Sequence, residues 1–249
     1  MSGTSTQSGD VGRLGENDMA KISKYRMVSS MLIPIIGPAK SENLINHIKD
    51  PYSRWEDQFQ CIFVHVPKAA GKAISRSLLD APNGTGHNKL RCYERNRQKY
   101  DAYRKVSVVR NPWDRLVSAF FYLRSLDARS NGGAFFRRHI GSDVEFQTFI
   151  QRLENPDYRQ TILEWEHFTP QKRFLVRRDG QLGVDFIARF ESLPSDFETM
   201  KTMINPEASD LARVNASKRD SYENYYDESL KSIVRSAYAE DIDAFEYTF

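Results

Sequence analysis

Two short runs of consecutive apolar, largely β-branched residues stand out along the chain: QCIFVHV, which opens at Gln60, and KVSVVR, which ends at Arg110. Runs of this length without apolar/polar alternation suit strands buried on both faces of a parallel sheet. Each gives way to a segment of helical period. After the first, GKAISRSLL places Ile74, Leu78 and Leu79 on one face. After the second, PWDRLVSAFFYLRSL opens with Pro112, a favoured first-turn residue, and brings Leu116, Phe120 and Leu123 to one side. Two strand-to-helix units with little sequence between them predict an α/β sheet with helices on both faces.

Further along, NGG at Asn131 reads as a loop and VEFQTFIQRLE as a short amphipathic helix. KRFLV and DFIARF read as strands separated by the turn RRDGQLG. LPSDFETMKTMI predicts a helix with Ser195 near its cap, and DESLKSIVRSAYAEDIDAF predicts one long final helix. Trp113, Phe120, Phe121 and Tyr122 follow helical spacing and are expected in the core.

Composition narrows the class. A chain of 249 residues, 40% hydrophobic, buries one substantial core. The expected organisation is a disordered tail over residues 1–20, which is polar and glycine-rich, followed by a single domain over residues 21–249. That tail lacks the apolar core of a secretory signal. The run MVSSMLIPIIGP is short and contains Pro34, whereas a spanning helix needs about 20 apolar residues, so no integral membrane segment is expected. Cys61 and Cys92 are too few for a disulfide framework and lack metal-ligand spacing, which fits a reducing, cytoplasmic setting. Lys and Arg number 36 against 33 Asp and Glu, which gives no argument for nucleic acid as a partner. Locally, Lys89, Arg91, Arg95, Arg97, Lys99, Arg104, Lys105 and Arg110 face only Glu94 and Asp101, either as a solvated surface or as a patch that attracts anions.

The candidate chemistry lies at the two strand ends. FVHVPKAAGKAIS runs from a strand through a proline, a lysine and small residues into a helix, which is how a chain wraps an anion. It is not a Walker A loop. Val66 stands where the first glycine belongs, and Ala73 replaces the Ser or Thr whose hydroxyl holds magnesium. What remains is Lys68 at the strand end and the backbone N–H groups from Gly71 to Ile74. In the second unit, Arg110 ends a strand and Ser118 lies two helical turns on, so both can address another phosphate. Two anion sites at neighbouring strand ends point to a doubly phosphorylated nucleotide.

In these residues the sequence resembles the sulfotransferases that use 3′-phosphoadenosine 5′-phosphosulfate (PAPS). HVPKAAGKAIS resembles their 5′-phosphosulfate loop and VVRNPWDRLVSAFFYL their 3′-phosphate motif. The likeness is nearest to the carbohydrate sulfotransferases of sulfotransferase family 2, in a soluble bacterial-type form, and runs from about residue 58 to the chain end through HFTPQKRFL, IARFESLPSDF and NASKRDSYENYYDESL. It implies a P-loop NTPase-like three-layer fold with a central parallel sheet flanked by helices. It also implies that Lys68 neutralises the leaving oxygen, that Ala69, Ala70, Gly71, Lys72, Ala73 and Ile74 cradle the 5′-phosphate, that Arg110 and Ser118 grip the 3′-phosphate, and that Arg219, in a late basic loop, closes over the nucleotide. No metal is required, and 3′-phosphoadenosine 5′-phosphate (PAP) is the product.

The acceptor hydroxyl, expected on a carbohydrate or glycoconjugate, needs a general base. His87, in GTGHNKL, lies where heparan-type relatives place theirs and is preferred; His167, in HFTPQ, comes next, with Glu94 or Glu166 as alternatives. His65 reads as a packed residue inside a strand, and His139 has no motif around it. Two competing readings stay open: a P-loop-type kinase suggested by AAGKAIS, and a non-catalytic polyanion-binding module suggested by the basic run.

Overall fold

The first two apolar runs form neighbouring parallel strands, β1 (Cys61–Val64) and β2 (Arg104–Val109). In this computed structural model, which describes residues 50–82, 84–211 and 220–249, a third parallel strand, β3 (Phe186–Arg189), pairs with β2, giving the order β1-β2-β3. The expected tail, the run MVSSMLIPIIGP and Arg219 lie outside the described residues. Every residue of β1 is buried, as the unbroken apolar run requires. Ser107, fully buried in β2, spends its hydroxyl on the Val64 carbonyl at 2.7 Å, so the sheet accepts a polar side chain where β1 leaves it.

The chain enters through α1 (Arg54–Phe59), held by a capping box between Ser53 and Glu56. From β1 it passes through α2 (Gly71–Leu79), α3 (Leu90–Tyr93) and α4 (Arg97–Ala102) to β2. Between β2 and β3 come α5 (Pro112–Ser125), α6 (Asn131–His139), α7 (Phe146–Arg152), α8 (Pro156–Leu163) and α9 (Lys172–Leu175). A 3-10 turn (Phe190–Ser192) then leads into α10 (Leu193–Ile204), and after a second such turn (Tyr222–Tyr225) the chain ends with α11 (Glu228–Ala237) and α12 (Ala239–Phe245). The α1 helix packs on β1, α10 packs on β2 and β3, and both touch α2. The α5 helix packs on α6 and α11. At its centre Phe120 is enclosed by Phe136, Phe146 and Phe149, with ring centroids 5.1, 5.3 and 5.3 Å away.

Three local expectations differ from the structure. NGG opens α6 rather than a loop: Ser130 caps the helix by accepting from the Gly133 N–H, and a side chain on Gly133 would collide with the Asp127 carbonyl at 2.1 Å. Glycine there serves close approach. KRFLV is helical, because Gln171 and Lys172 give their N–H groups to the buried Asp241; only Val176 pairs, as an isolated antiparallel bridge with Leu182 across the turn. The final helix breaks in two at Tyr238, which ends α11 and starts α12 while its buried hydroxyl donates to the Phe168 carbonyl at 2.8 Å. Ser195 sits in the first turn of α10, and the cap position itself falls on Ser192.

Candidate active site

The β1–α2 loop holds two non-glycine residues in the left-handed region, Lys68 at φ 70° and Ala70 at φ 62°. Such conformations cost on the order of 1–3 kcal/mol each and persist only where surroundings enforce them. Here the second strand-helix unit does so. Arg115, buried on α5, donates from Nε to the Pro67 carbonyl at 2.8 Å, and Arg110 donates from Nη1 to the Lys68 carbonyl at 3.1 Å. Two arginines thus grip consecutive carbonyls of the loop that carries Lys68.

Helix α2 has Ala70 as its N-cap and so no side-chain cap. The N–H groups of Ala73 and Ile74 both donate to the Ala70 carbonyl, at 3.0 and 3.2 Å. Of the four amides expected to face an anion, Gly71 and Lys72 are therefore the first-turn donors without an acceptor inside the helix. Gly71 has a separate requirement: a Cβ there would lie 1.9 Å from the His65 ring. Ala69 and Ile74 are buried, while Lys72 is exposed beside Gly84 of the following loop.

That loop brings His87 back to β1. His87 Nδ1 lies 2.9 Å from the His65 carbonyl, which can only accept; Nδ1 therefore carries the proton and the lone pair falls on Nε2. The rings of His65 and His87 are 4.3 Å apart, and His167 lies 6.1 Å beyond His87. Burial drives the His65 imidazole well below its ordinary pKa, with His87 and Lys72 adding to the effect. Burial also takes His167 down to about 3, helped by His87, Lys68, Arg115 and Lys72. Both rings are neutral at ordinary pH. Glu166 approaches His167 Nδ1 at 3.4 Å without forming an aligned hydrogen bond, and burial raises its carboxyl. Glu94 is tied to the 177–181 turn, accepting from the Arg178 N–H at 2.8 Å. His139 lies on α6 against Phe135, at 4.7 Å.

At the end of β2, Arg110 is nearly buried. Its guanidinium meets Asp114 at 2.6 and 2.7 Å and lies 3.9 Å over the Phe190 ring. Four-residue steps along α5 put Asp114, Ser118 and Tyr122 on one side, and Arg110, just before the helix, joins that side through its ion pair with Asp114. Ser118 is half-buried. The Lys68 ammonium lies 3.9 Å over the Tyr122 ring, which also stacks on His167 at 5.3 Å. Lys68, His87, His167 and Arg110 are thus drawn together at the carboxyl ends of adjacent parallel strands, where open α/β sheets bind their ligands.

The model of the sulfotransferase family matches residues 52–248. The chain belongs to the sulfotransferase family. A curated relative from Archaeoglobus fulgidus, described as an uncharacterized protein, is 27% identical over 124 residues, covering 49% of this chain and 85% of its own. No solved structure matches at a significant level. Family membership makes sulfuryl transfer the general reaction and agrees with the parallel α/β fold.

Three residues of this sulfotransferase site are not singled out by the sequence pattern. Tyr122 reads as core, although its place one turn beyond Ser118 is a spacing signal that puts it in the site. Arg115 and Gln171 lie inside the quoted motif blocks, but nothing local marks their role; they act on backbone carbonyls and amides far away in sequence. Among the described residues no cluster of His, Cys, Asp and Glu could hold a metal, and no helix is long and apolar enough to cross a membrane.

Proposed function

We propose that this sulfotransferase moves the sulfuryl group of PAPS to a hydroxyl of a carbohydrate or glycoconjugate, in a single domain working in the cytoplasm. One observation carries the reading: the two anion-directed units meet, with Arg110 Nη1 3.1 Å from the Lys68 carbonyl. The residues suit the donor. Uncapped amides at Gly71 and Lys72, with Lys68 and Lys72 beside them, fit a 5′-phosphate at the N-terminus of a nine-residue helix. Arg110 and Ser118 fit a 3′-phosphate, and Arg219 would close the site from the later basic loop. Ala73 offers no hydroxyl to magnesium, which separates this loop from ATP-binding ones.

Bound there, PAPS supplies an activated sulfuryl group whose leaving group is the 5′-phosphate of PAP. Sulfuryl transfer, like phosphoryl transfer, depends on in-line positioning and on neutralising charge at the leaving oxygen. Lys68, whose ammonium lies over the Tyr122 ring in this site, would serve the second of these by neutralising the charge left on the bridging oxygen when the sulfur–oxygen bond breaks. His87 takes the acceptor proton on Nε2 as the new oxygen–sulfur bond forms, while its Nδ1–H stays on the His65 carbonyl. His167, held neutral with a pKa of about 3, is a poor proton acceptor and lines the site instead. The thiols of Cys61 and Cys92, both buried and unpaired with each other, suit a reducing compartment.

Transfer of radiolabelled sulfate from PAPS to a panel of glycans and glycolipids tests the reading. Labelled product that disappears with Lys68→Ala is the expected result; magnesium-dependent ATP turnover with no sulfate transfer would contradict it.

A further inference from the structure

Gln171 is fully buried where α9 begins, and its carboxamide addresses the main chain of Arg110 from both sides. Its Oε1 accepts from the Arg110 N–H at 2.9 Å, and its Nε2 donates to the Arg110 carbonyl at 2.7 Å. A neighbouring strand would supply the same pair of bonds. The ladder between β2 and β3 ends at Val109 and Arg189, so the carboxamide takes over one residue past the last strand partner. Gln171 is itself fixed from behind. Its own N–H and that of Lys172 donate to the two carboxylate oxygens of Asp241, each at 2.8 Å, and Asp241 is fully buried on α12. Three segments distant in sequence are therefore linked in series, Asp241 to Gln171 and Gln171 to the main chain of Arg110.

We propose that Gln171 and Asp241 are positioning residues for the donor site. They lock the main chain of Arg110 at the end of β2, so that its guanidinium rests against Asp114 and the Lys68 carbonyl and faces the 3′-phosphate. Neither touches the donor. The inference rests on the donor reading above and assigns the residues through which Arg110 is set. It also gives α12 a role in nucleotide binding, although α12 contributes no side chain to the site.

The carboxamide is specified by its asymmetry, because one end must accept and the other must donate. Gln171→Glu exploits this. The ionised acid has two acceptors, one turned on the Arg110 carbonyl; the protonated acid restores the donor. The groups facing that position are Arg110, with Asp114 on its guanidinium, and Asp241, which is itself faced by Arg115, Tyr238 and Glu240. A neighbouring carboxylate and deep burial both favour the protonated form of a new acid. An inert packing role would not reverse with pH.

Calorimetric titration with adenosine 3′,5′-bisphosphate decides, using wild type, Gln171→Glu, Gln171→Ala and Asp241→Asn, each first checked for a cooperative thermal transition. At pH ~8 the Gln171→Glu protein is expected to bind ~10-fold or more weakly than wild type, and to approach wild type at pH ~5.5. Gln171→Ala stays weak at every pH, and Asp241→Asn is weakened with no such recovery. Because each comparison is made against wild type at the same pH, titration of Asp241 in the parent does not enter. Should Gln171→Ala fail to fold, the pH response of Gln171→Glu alone decides. Binding by wild type with equal binding by the Gln171 variants at all pH overturns the positioning role and leaves the donor reading standing. Absence of binding by wild type overturns both.

Discussion

Arg110 donates from Nη1 to the carbonyl oxygen of Lys68 at 3.1 Å, so the residue read as a phosphate ligand also shapes the backbone of the residue read as the catalytic lysine. The left-handed conformation of Lys68 and the bond from Arg115 to Pro67 belong to the same arrangement. In the proposed mechanism, donor binding and leaving-group stabilisation are thereby coupled through a backbone rather than through the ligand alone.

That coupling predicts the behaviour of Arg110→Lys. Lysine keeps the charge but cannot hold Asp114 and a carbonyl together in the fixed fork of a guanidinium. The variant is expected to raise the donor KM by about 10-fold or more and also to lower kcat, because Lys68 loses its backbone restraint. Steady-state kinetics with varied donor separate this from a pure binding defect, in which kcat would be unchanged.

Gly71 is pressed against the His65 ring, so that a Cβ added at this position would lie 1.9 Å from the imidazole. Gly71→Ala is expected to cost about 1–3 kcal/mol of stability through overpacking. Adding His65→Ser removes the obstacle and should return most of that loss, which urea denaturation of both proteins measures. No recovery in the double variant would place the need for glycine elsewhere.

His87 carries its proton on Nδ1, facing the His65 carbonyl, and in the proposed mechanism Nε2 is the base. His87→Gln is expected to lower kcat by about 10²–10⁴-fold and to remove the acidic limb of the pH–rate profile. His167→Gln should leave that limb in place, since the neutral His167 does not take the proton. A pH–rate profile that loses its acidic limb in His167→Gln and keeps it in His87→Gln would exchange the two assignments.

The same burial makes His167 a source of acid lability. Unfolded, it takes a proton at its ordinary 6.5; folded, it resists until about 3. Between those values the unfolded chain binds more protons, so stability rises with pH and is lost on acidification. His167→Gln should therefore lose less stability than wild type between pH ~6.5 and ~4. Asp241 acts in the opposite sense, because its carboxyl is pushed up to about 6 and the folded state holds the extra proton. It is common to both proteins and cancels in the comparison of melting temperatures.

Much of this architecture is legible in the sequence because it is local. Continuous apolar runs forecast β1 and β2, and helical spacing forecasts α2 and α5, since burial on both faces of a sheet and on one face of a helix leaves a direct mark on sequence. DFIARF becomes β3 for the same reason. KRFLV has the same apolar look, yet it is helical because Asp241, some seventy residues away, collects two amides at its start. No window of sequence contains that partner. Glycines at 132 and 133 read as a loop because their close approaches, to the Leu126 and Leu123 side chains and to the Asp127 carbonyl, are likewise through-space facts. The motifs bring Lys68, Arg110 and His87 into view, whereas Gln171 and Arg115 work through main-chain atoms of distant residues and leave no residue-type signature beside them.

The most direct test is calorimetric titration of the protein with adenosine 3′,5′-bisphosphate in the absence of magnesium, beside ATP and beside the double variant Arg110→Ala, Ser118→Ala. Micromolar binding of the bisphosphate, weak binding of ATP and loss of binding in the variant are the predicted results. Absence of bisphosphate binding, or a preference for ATP that needs magnesium, would contradict the assignment of a PAPS site.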